Sequence, residues 1–230
     1  MPRLYLFAEG QTEQTFADTV LKPHLANLGL YLQPPVLIAH AKKKGRVHRG
    51  GGRKYVPMKN DILKHLAQEK GRDVFFTTMI DLYAIPAEFP GLAEAEELRH
   101  IPYKRVEALE QAFAEDIADD RFIPYIQLHE YEAYLFSDPT WFRYFYSHHE
   151  RQIVALKAIA DGLASPELID DGQHKAPSKR IIAEFPDYED AKSTIGPQVA
   201  ELIGLDVIRG KCPHFAAWLS QLEKRSGKMG

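Results

Sequence analysis

The chain has almost no cysteine and no long apolar run. Its 230 residues include one cysteine, Cys212, which excludes a disulfide framework and a zinc site built from four thiolates. No stretch approaches 18 consecutive apolar residues, and the first residues form an apolar strand pattern rather than a signal peptide. We therefore expect a protein of the reducing cytoplasm that does not associate with a membrane.

Three familiar active-site motifs are also missing. The basic, glycine-rich segment 42–54 contains neither the P-loop pattern G-x-x-x-x-G-K-[ST] nor the dinucleotide-binding pattern G-x-G-x-x-G. His129 and Glu130 do not continue as H-E-x-x-H, because position 133 is alanine, so a zinc protease of that type is unsupported. The formal net charge of −3 argues against a protein that coats nucleic acid by general positive charge.

What the chain does contain is enough apolar material for a packed core. Hydrophobic residues make up 45% of it and aromatic residues 11%. Strand and helix patterns alternate up to about residue 128 and are helical afterwards, which predicts a three-layer α/β fold with a mainly parallel sheet and a helical C-terminal part. The predicted strands are 3–8, 36–39, 73–80 and 122–128. The predicted helices are 12–28, 57–69, 102–117, 130–136, 140–162, 178–185, 189–203 and 213–224, with Thr12 and Ser178 as N-caps.

Two carboxylates follow apolar strands. Glu9 comes directly after the first strand, and Asp81 comes directly after the run 74–80. In an open parallel sheet the carboxyl ends of neighbouring strands meet at a ligand crevice. We therefore predict that Glu9 and Asp81 bind Mg²⁺ or Mn²⁺, because such ions take oxygen ligands and leave room for water and phosphate. The alternative for Asp81 is a cap on the following turn.

Glu13 lies one helical turn beyond Glu9 and is a further candidate metal ligand. Its alternative role is to complement the dipole at the start of the first helix. That alternative is incomplete if Thr12 is the N-cap, because a capping box would then need an acid or glutamine at position 15, which is threonine.

A third group of polar residues follows the fourth predicted strand. His129, Glu130 and Glu132 lie at its carboxyl end. We expect Glu130 or Glu132 to add a metal ligand, or His129 to orient a water molecule, and we consider His129 and Glu130 candidate catalytic residues. The alternative is a solvated helix start, which accounts for Glu132 better than for the other two.

The segment 42–54 holds seven Lys or Arg and no acid. Glycines expose backbone N–H groups, and Arg and Lys pair with phosphates, so this segment is a candidate clamp for a nucleic-acid backbone. We assign nucleic-acid contacts to Arg49, Arg53 and Lys54, and to Lys175 further along the chain. A solvated loop is the alternative.

Lys179 follows Ser178 in the first turn of a predicted helix. A cation there opposes the helix dipole, and we therefore consider Lys179 a candidate catalytic residue that binds the scissile phosphate.

The three acidic segments together resemble a bacterial family of Toprim-like proteins of unknown function. The resemblance rests on Glu9-Gly-Gln-Thr-Glu13, on the segment 77–86 around Asp81, and on the segment 124–139 around Glu130. The loop at Arg49 and the segment 176–180 also match, so it spans nearly the whole chain. It implies a Toprim-like three-layer sandwich with Glu9 and Asp81 as Mg²⁺ ligands. The chain departs from the Toprim D-x-D pattern at Tyr83, which leaves a two-metal site dependent on Glu130 or Glu132.

The resemblance also implies a function. Relatives occur beside ATPases in bacterial anti-phage systems, where they act as toxic nucleases. We therefore expect a divalent-metal-dependent phosphodiesterase that cuts DNA or RNA, divided into a Toprim-like core (1–137) and a helical extension (138–230). The partners we expect are nucleic acid, an ATPase and a second copy of the chain. The rival hypothesis is a non-catalytic Toprim-like subunit that docks on an ATPase.

Overall fold

The computed structural model describes residues 1–38, 54–169 and 175–227. Within these ranges the chain forms strands, α-helices and several 3-10 turns. The strands are β1 (Arg3–Ala8), β2 (Tyr31–Leu32), β3 (Val36–Leu37), β4 (Val74–Asp81), β5 (Phe122–Ile123) and β6 (Ile126–Gln127). The α-helices are α1 (Gln11–Phe16), α2 (Lys22–Leu28), α3 (Tyr55–Gln68), α4 (Leu92–Glu97), α5 (Pro102–Ile117), α6 (Glu150–Asp161), α7 (Pro177–Glu184), α8 (Tyr188–Ile203), α9 (Leu205–Lys211) and α10 (Pro213–Glu223).

The sheet is parallel in every strand pair that the described ranges contain. Strand β1 pairs with β2 and β3 on one side and with β4 on the other, and β4 pairs with β5 and β6. Ala8 is in register with Met79, and Asp81 with Gln127. The residues that follow β1, β4 and β6 therefore leave the sheet at one edge, as the parallel arrangement requires.

Helices cover both faces of this sheet, which confirms the predicted α/β fold with a mainly parallel sheet. One apolar cluster combines the N-terminal helices with the C-terminal part of the chain, and includes Leu6, Phe16 and Trp218. The second lies under α3 and α5 and includes Ile62 and Phe113. Each face of the sheet thus buries its own set of side chains, which is what a three-layer fold needs.

The first helical run begins earlier than predicted and is not uniform. Gly10, not Thr12, is its N-cap, and a π-helical turn at Ala17–Leu21 separates α1 from α2. This turn ends just before Lys22 and Pro23, the first residues of α2. Since proline has no N–H to donate, a locally wider turn is a physical reason for the irregularity. The run ends at Leu28, as predicted, and Gly29 follows it with a left-handed φ of 86°.

Other predicted elements are broken where local chemistry prevents continuation. The strand predicted at 122–128 is two short strands separated by Pro124-Tyr125, because proline lacks the N–H that a sheet uses. The helix predicted at 140–162 is a 3-10 turn (Pro139–Tyr144) and the separate helix α6. Strand β2 and helices α4 and α9 were not predicted, whereas α5 has the predicted bounds.

Two further sequence predictions concern organisation. The apolar cluster that contains Leu6 also contains Phe142 and Trp218, so it joins residues on both sides of the predicted boundary at 137/138; the boundary itself stays a prediction. None of the helices in the described part of the chain combines the length and apolarity that crossing a bilayer requires.

Candidate active site

Five acidic side chains converge at the carboxyl edge of the sheet. Each is buried, with at most 9% of its surface exposed. The charges of the other four acids all raise the pKa of Asp81, so all lie close enough to interact electrostatically. They come from four places in the chain: the end of β1, the start of α1, the end of β4 and the turn after β6. The five residues are Glu9, Glu13, Asp81, Glu130 and Glu132.

Glu9 is held against the neighbouring strand. Its backbone N–H donates to the carbonyl of Met79 at 3.0 Å, and its side-chain Oε2 accepts a hydrogen bond from the backbone N–H of Asp81 at 2.7 Å. Both contacts follow from the register of β1 on β4. Glu9 and Asp81 therefore meet at one edge of the sheet, as predicted.

Asp81 is the last residue of β4 and is fixed by the turn that follows β6. Its Oδ1 accepts a hydrogen bond from the backbone N–H of Tyr131 at 3.0 Å. Burial first, and then the nearby charges of Glu9 and Glu13, raise the pKa of Asp81 well above its ordinary value. A carboxyl in these surroundings is costly to ionise unless a cation is close to it.

Glu13 is both a cap and a member of the cluster. Its Oε2 accepts a hydrogen bond from the backbone N–H of Gly10 at 2.8 Å, so the capping role holds with Gly10 as N-cap rather than Thr12. A Cβ at position 10 would lie 3.2 Å from that oxygen, which is a reason for glycine there. Burial and the charge of Glu9 raise the pKa of Glu13 to about 8.

Glu132 is paired with a lysine of another element. Lys192 Nζ, on α8, lies 4.0 Å from Glu132 Oε1. Burial and the charge of Glu130 raise the pKa of Glu132 to about 7, while Lys192 opposes that rise. Sequence reasoning missed Lys192. A signal was present, because Lys192 follows Tyr188 and precedes Gly196 at four-residue spacing, the spacing of a buried helix face.

Glu130 is engaged by α7. Its Oε2 accepts a hydrogen bond from the backbone N–H of Ser178 at 2.8 Å, and its Oε1 accepts one from the hydroxyl of Ser178 at 3.1 Å. Ser178 was predicted to be the N-cap, but the helix begins at Pro177 with Ala176 as N-cap, so Ser178 lies inside the first turn. Glu130 thus supplies the acceptor for that turn from another part of the chain. Its predicted roles in metal binding and catalysis stay predictions.

His129 is buried in an uncommon backbone conformation. Its φ is 65°, in the left-handed region, and its carbonyl accepts a hydrogen bond from the backbone N–H of Tyr83 at 3.3 Å. This conformation turns the chain sharply between β6 and the 3-10 turn Tyr131–Ser137, which brings Glu130 and Glu132 to the cluster. His129 therefore positions these acids, and its predicted catalytic role stays a prediction.

Two buried tyrosine hydroxyls adjoin the acids. Within the described part of the chain neither Tyr131 Oη nor Tyr188 Oη has a hydrogen-bond partner. Burial raises the pKa of both, and the charge of Glu132 adds to the rise. They pack around Gly196, where a Cβ would lie only 2.9 Å from Tyr188 Oη. These polar groups were not predicted as part of the site.

The predicted phosphate-binding cations that can be placed are exposed, whereas the acids of the cluster are buried. Lys179 is about half exposed, and its Nζ lies 3.8 Å from Glu189 Oε1. Lys54 and Lys175 are exposed. Arg49 and Arg53 lie outside the described residues, so their predicted contacts stay predictions.

The composition of the cluster suits a hard divalent cation, since every acidic ligand offers oxygen. Five carboxylates are buried together here, and a bound divalent cation would offset negative charge among them. In residues 1–38, 54–169 and 175–227, however, no three His, Cys, Asp or Glu side chains are arranged around a common point as metal ligands. Some carboxylate oxygens accept backbone hydrogen bonds instead, and metal binding would require these side chains to adjust.

Comparison with known proteins places the chain in a family. Residues 8–223 match the family described as "Domain of unknown function (DUF4276)", and the chain belongs to that family. No curated protein matches it. Among solved structures, the C-terminal region of the Xanthomonas campestris pv. campestris OLD protein is similar over 97% of this chain and 95% of that chain, with 14% sequence identity and a TM-score of 0.40.

Proposed function

We propose that this DUF4276 protein is a divalent-metal-dependent phosphodiesterase that cuts a DNA or RNA strand at the cluster of buried acids. The observation that carries the proposal is the convergence of Glu9, Glu13, Asp81 and Glu132 at one edge of the sheet, with Lys192 beside them. A purely structural core would not gather so many carboxylates, because burying charge is costly without a compensating cation.

The residues divide into ligands and supports. Glu9 and Asp81 are the metal ligands we propose, with Glu13 and Glu132 completing the set. Glu130 and Ser178 keep α7 attached to the site through their two hydrogen bonds. A bound Mg²⁺ or Mn²⁺ would polarise a phosphoryl oxygen and activate water for attack.

The raised pKa values of Glu13 and Glu132 support this division. At neutral pH these side chains stay partly protonated without a cation, and a divalent ion would favour their ionised forms. Lys192 opposes the rise at Glu132 and stands where it can also offset charge that develops on a phosphate. In this proposal Lys192 is the cation of the site, and Lys179 is an outer one.

A direct test is a cleavage assay with the purified chain. Wild type, Glu9→Gln and Glu94→Gln would each be incubated with single- and double-stranded DNA and RNA, in Mn²⁺, in Mg²⁺ and in EDTA. Glu94 is an exposed acid on α4 and serves as the matched control. We expect wild type and Glu94→Gln to cleave only with metal, and Glu9→Gln to lose cleavage by at least about 100-fold, as for removal of a group that stabilises developing charge.

The opposite outcome supports the rival function. A wild-type protein that cleaves none of these substrates, with metal and with a co-expressed ATPase, would be a non-catalytic partner subunit. One observation favours this rival function. Glu130 and Asp81 already accept hydrogen bonds from the backbone N–H groups of Ser178 and Tyr131. A role in phage defence stays a prediction of the sequence resemblance alone.

A further inference from the structure

A stacked pair of aromatic rings stands on the surface of the helical part of the chain. The rings of Trp141 and Tyr144 have centroids 5.4 Å apart and planes inclined by 19°. Trp141 packs partly into the core, whereas Tyr144 is 66% exposed. One face of the Tyr144 ring is therefore held by Trp141, and most of the rest of the side chain meets solvent.

The turn that carries the pair is firmly anchored. Asp138 caps it by accepting hydrogen bonds from the backbone N–H and hydroxyl of Thr140, at 3.1 and 2.7 Å. Phe142, on the opposite side of the turn, is buried and stacks on Phe185 with 5.5 Å between ring centroids. An exposed ring on such a support loses little conformational freedom when a flat ligand stacks on it.

Two buried rings, Phe142 and Tyr188, lie between the turn that carries the pair and the acidic cluster. Phe142 also contacts Tyr188 edge to face, with 5.9 Å between centroids, and the charge of Glu132 acts on the hydroxyl of Tyr188. The chain runs directly from Glu132 through the 3-10 turn Tyr131–Ser137 into the turn that holds the pair. The proposal below requires that a strand whose phosphate lies at the acids also extends to Tyr144.

The charge around the pair suits a polyanion. Arg143 is exposed beside Tyr144, and its Nε donates to the carbonyl of Thr140 at 2.7 Å. Arg151 is exposed on α6, the helix that packs against this turn. In the described part of the chain no carboxylate pairs with either arginine, so both guanidinium groups can meet phosphate.

From these features we infer that Trp141 and Tyr144 form a base-stacking platform, so that the substrate class is single-stranded nucleic acid. The inference rests on the proposed function for the nature of the ligand. Nucleobases offer a flat π-face to an aromatic ring whatever their sequence, and in a duplex these faces are already stacked on one another. Arg143 and Arg151 would contact the adjoining phosphates.

The test is a binding measurement in EDTA, so that cleavage cannot occur. A short fluorescein-labelled single-stranded DNA oligonucleotide of mixed sequence would be titrated with wild type, Tyr144→Ala, Tyr144→Phe and Tyr31→Ala. Tyr31 is a control, since it is 42% exposed and lies on β2 without a ring partner among the described residues. We expect Tyr144→Ala to weaken binding by about tenfold or more, and Tyr144→Phe and Tyr31→Ala to bind like wild type.

Intrinsic fluorescence of wild type gives a second readout that needs no variant. The chain has two tryptophans, and Trp218 is 2% exposed and stacked on Tyr125. Quenching by the oligonucleotide should therefore come from Trp141. An oligonucleotide of the same length without bases should neither quench nor respond to Tyr144→Ala, and the matched duplex should bind more weakly than the single strand.

Equal binding by wild type and Tyr144→Ala, or equal binding of the normal and base-free oligonucleotides, would overturn the platform. Absence of any oligonucleotide binding would also overturn it, and would assign the exposed pair to a protein partner. Failure of the proposed function looks different: Mn²⁺ would then neither stabilise the protein nor support cleavage, while base-dependent binding at Tyr144 persisted. Conversely, if Tyr144→Ala cleaves nucleic acid with metal as well as wild type does, the platform is refuted and the proposed function is not.

Discussion

Glu9 Oε2 accepts a hydrogen bond from the backbone N–H of Asp81, with 2.7 Å between the two atoms. The side chain of one strand end is thus positioned by the main chain of the next. This contact needs an acceptor oxygen but no charge, because a backbone N–H can donate to an amide oxygen as well as to a carboxylate. A single substitution can therefore remove the charge at position 9 and keep the hydrogen bond to Asp81.

The first prediction uses that separation. Glu9→Gln keeps an acceptor for Asp81 N–H and removes one negative charge from a crowded site, so the metal-free variant should be as stable as wild type or more stable. Wild type should gain about 2.7 kcal/mol in free energy of unfolding when Mn²⁺ is at about 100 times its Kd, and Glu9→Gln should gain much less. Thermal melts with and without Mn²⁺ measure both effects.

The control for this experiment is Glu94→Gln, which removes a charge from an exposed position on α4. Its melting temperature should shift with Mn²⁺ as in wild type. A full Mn²⁺ shift in Glu9→Gln would exclude Glu9 as a ligand.

The second prediction concerns pH. The pKa of Glu13 is about 8 in the fold, against about 4.5 when unfolded, so folding favours its protonated form. The stability that this group contributes is complete below about pH 4.5 and is lost as the pH rises through about 8. Because one pH unit between the folded and unfolded pKa corresponds to about 1.4 kcal/mol, the metal-free protein should be less stable at pH 8 than at pH 5.

A neutral side chain at position 13 isolates this effect. Glu13→Gln still offers an oxygen to Gly10 N–H, so its free energy of unfolding should fall less between pH 5 and pH 8 than that of wild type. Groups outside the cluster, such as His214, whose pKa is raised beside Glu110, titrate equally in both proteins and cancel in the comparison. Denaturant melts in EDTA at several pH values provide the data, and parallel curves for the two proteins would contradict the prediction.

Much of the site's framework was predictable because it depends on local pattern. The apolar strands that precede Glu9 and Asp81 predict that both acids lie at the carboxyl edge of the sheet and close to each other. The reason is that neighbouring parallel strands end at the same edge. The helical extension was predictable in outline for the same reason, from its apolar periodicity. The family match covers residues 8–223, whereas the Toprim motifs stay a prediction.

Most of what could not be predicted depends on contacts between distant parts of the chain. Glu130 accepts hydrogen bonds from Ser178, 48 residues away, and no local rule indicates that partner. The break in the predicted helix 140–162 has a local cause that periodicity hides: apolar spacing continues across Tyr144, while the chain forms a 3-10 turn that Asp138 caps. Lys192 was missed because its importance depends on Glu132, in another element.

The third prediction tests the packing behind the site. An alanine Cβ at position 196 would lie 2.9 Å from Tyr188 Oη, so Gly196→Ala should cost about 1–3 kcal/mol in stability. Gly210, in α9, has no atom within 4 Å of an added Cβ, and Gly210→Ala should instead stabilise by about 0.5–1 kcal/mol. Denaturant unfolding of the two variants gives the comparison, and equal effects would mean that Gly196 is not tightly enclosed.

The fourth prediction separates two lysines. Lys192 Nζ lies 4.0 Å from Glu132 Oε1 among the buried acids, whereas Lys179 Nζ lies 3.8 Å from the exposed Glu189. If charge develops on a phosphate at the acids, Lys192→Met should lower the single-turnover cleavage rate by about 100-fold or more, and Lys179→Met should lower it far less. Single-turnover assays at saturating substrate compare the rates without interference from binding.

A stability readout checks that Lys192 acts where the structure puts it. Without Lys192 the pKa of Glu132 should rise above about 7, so the free energy of unfolding of Lys192→Met should fall more steeply towards pH 8 than that of wild type. Lys192→Arg should restore the wild-type slope, because it keeps the charge. If Lys179→Met slows cleavage more than Lys192→Met does, the catalytic cation is the one on α7, and Lys192 only compensates Glu132.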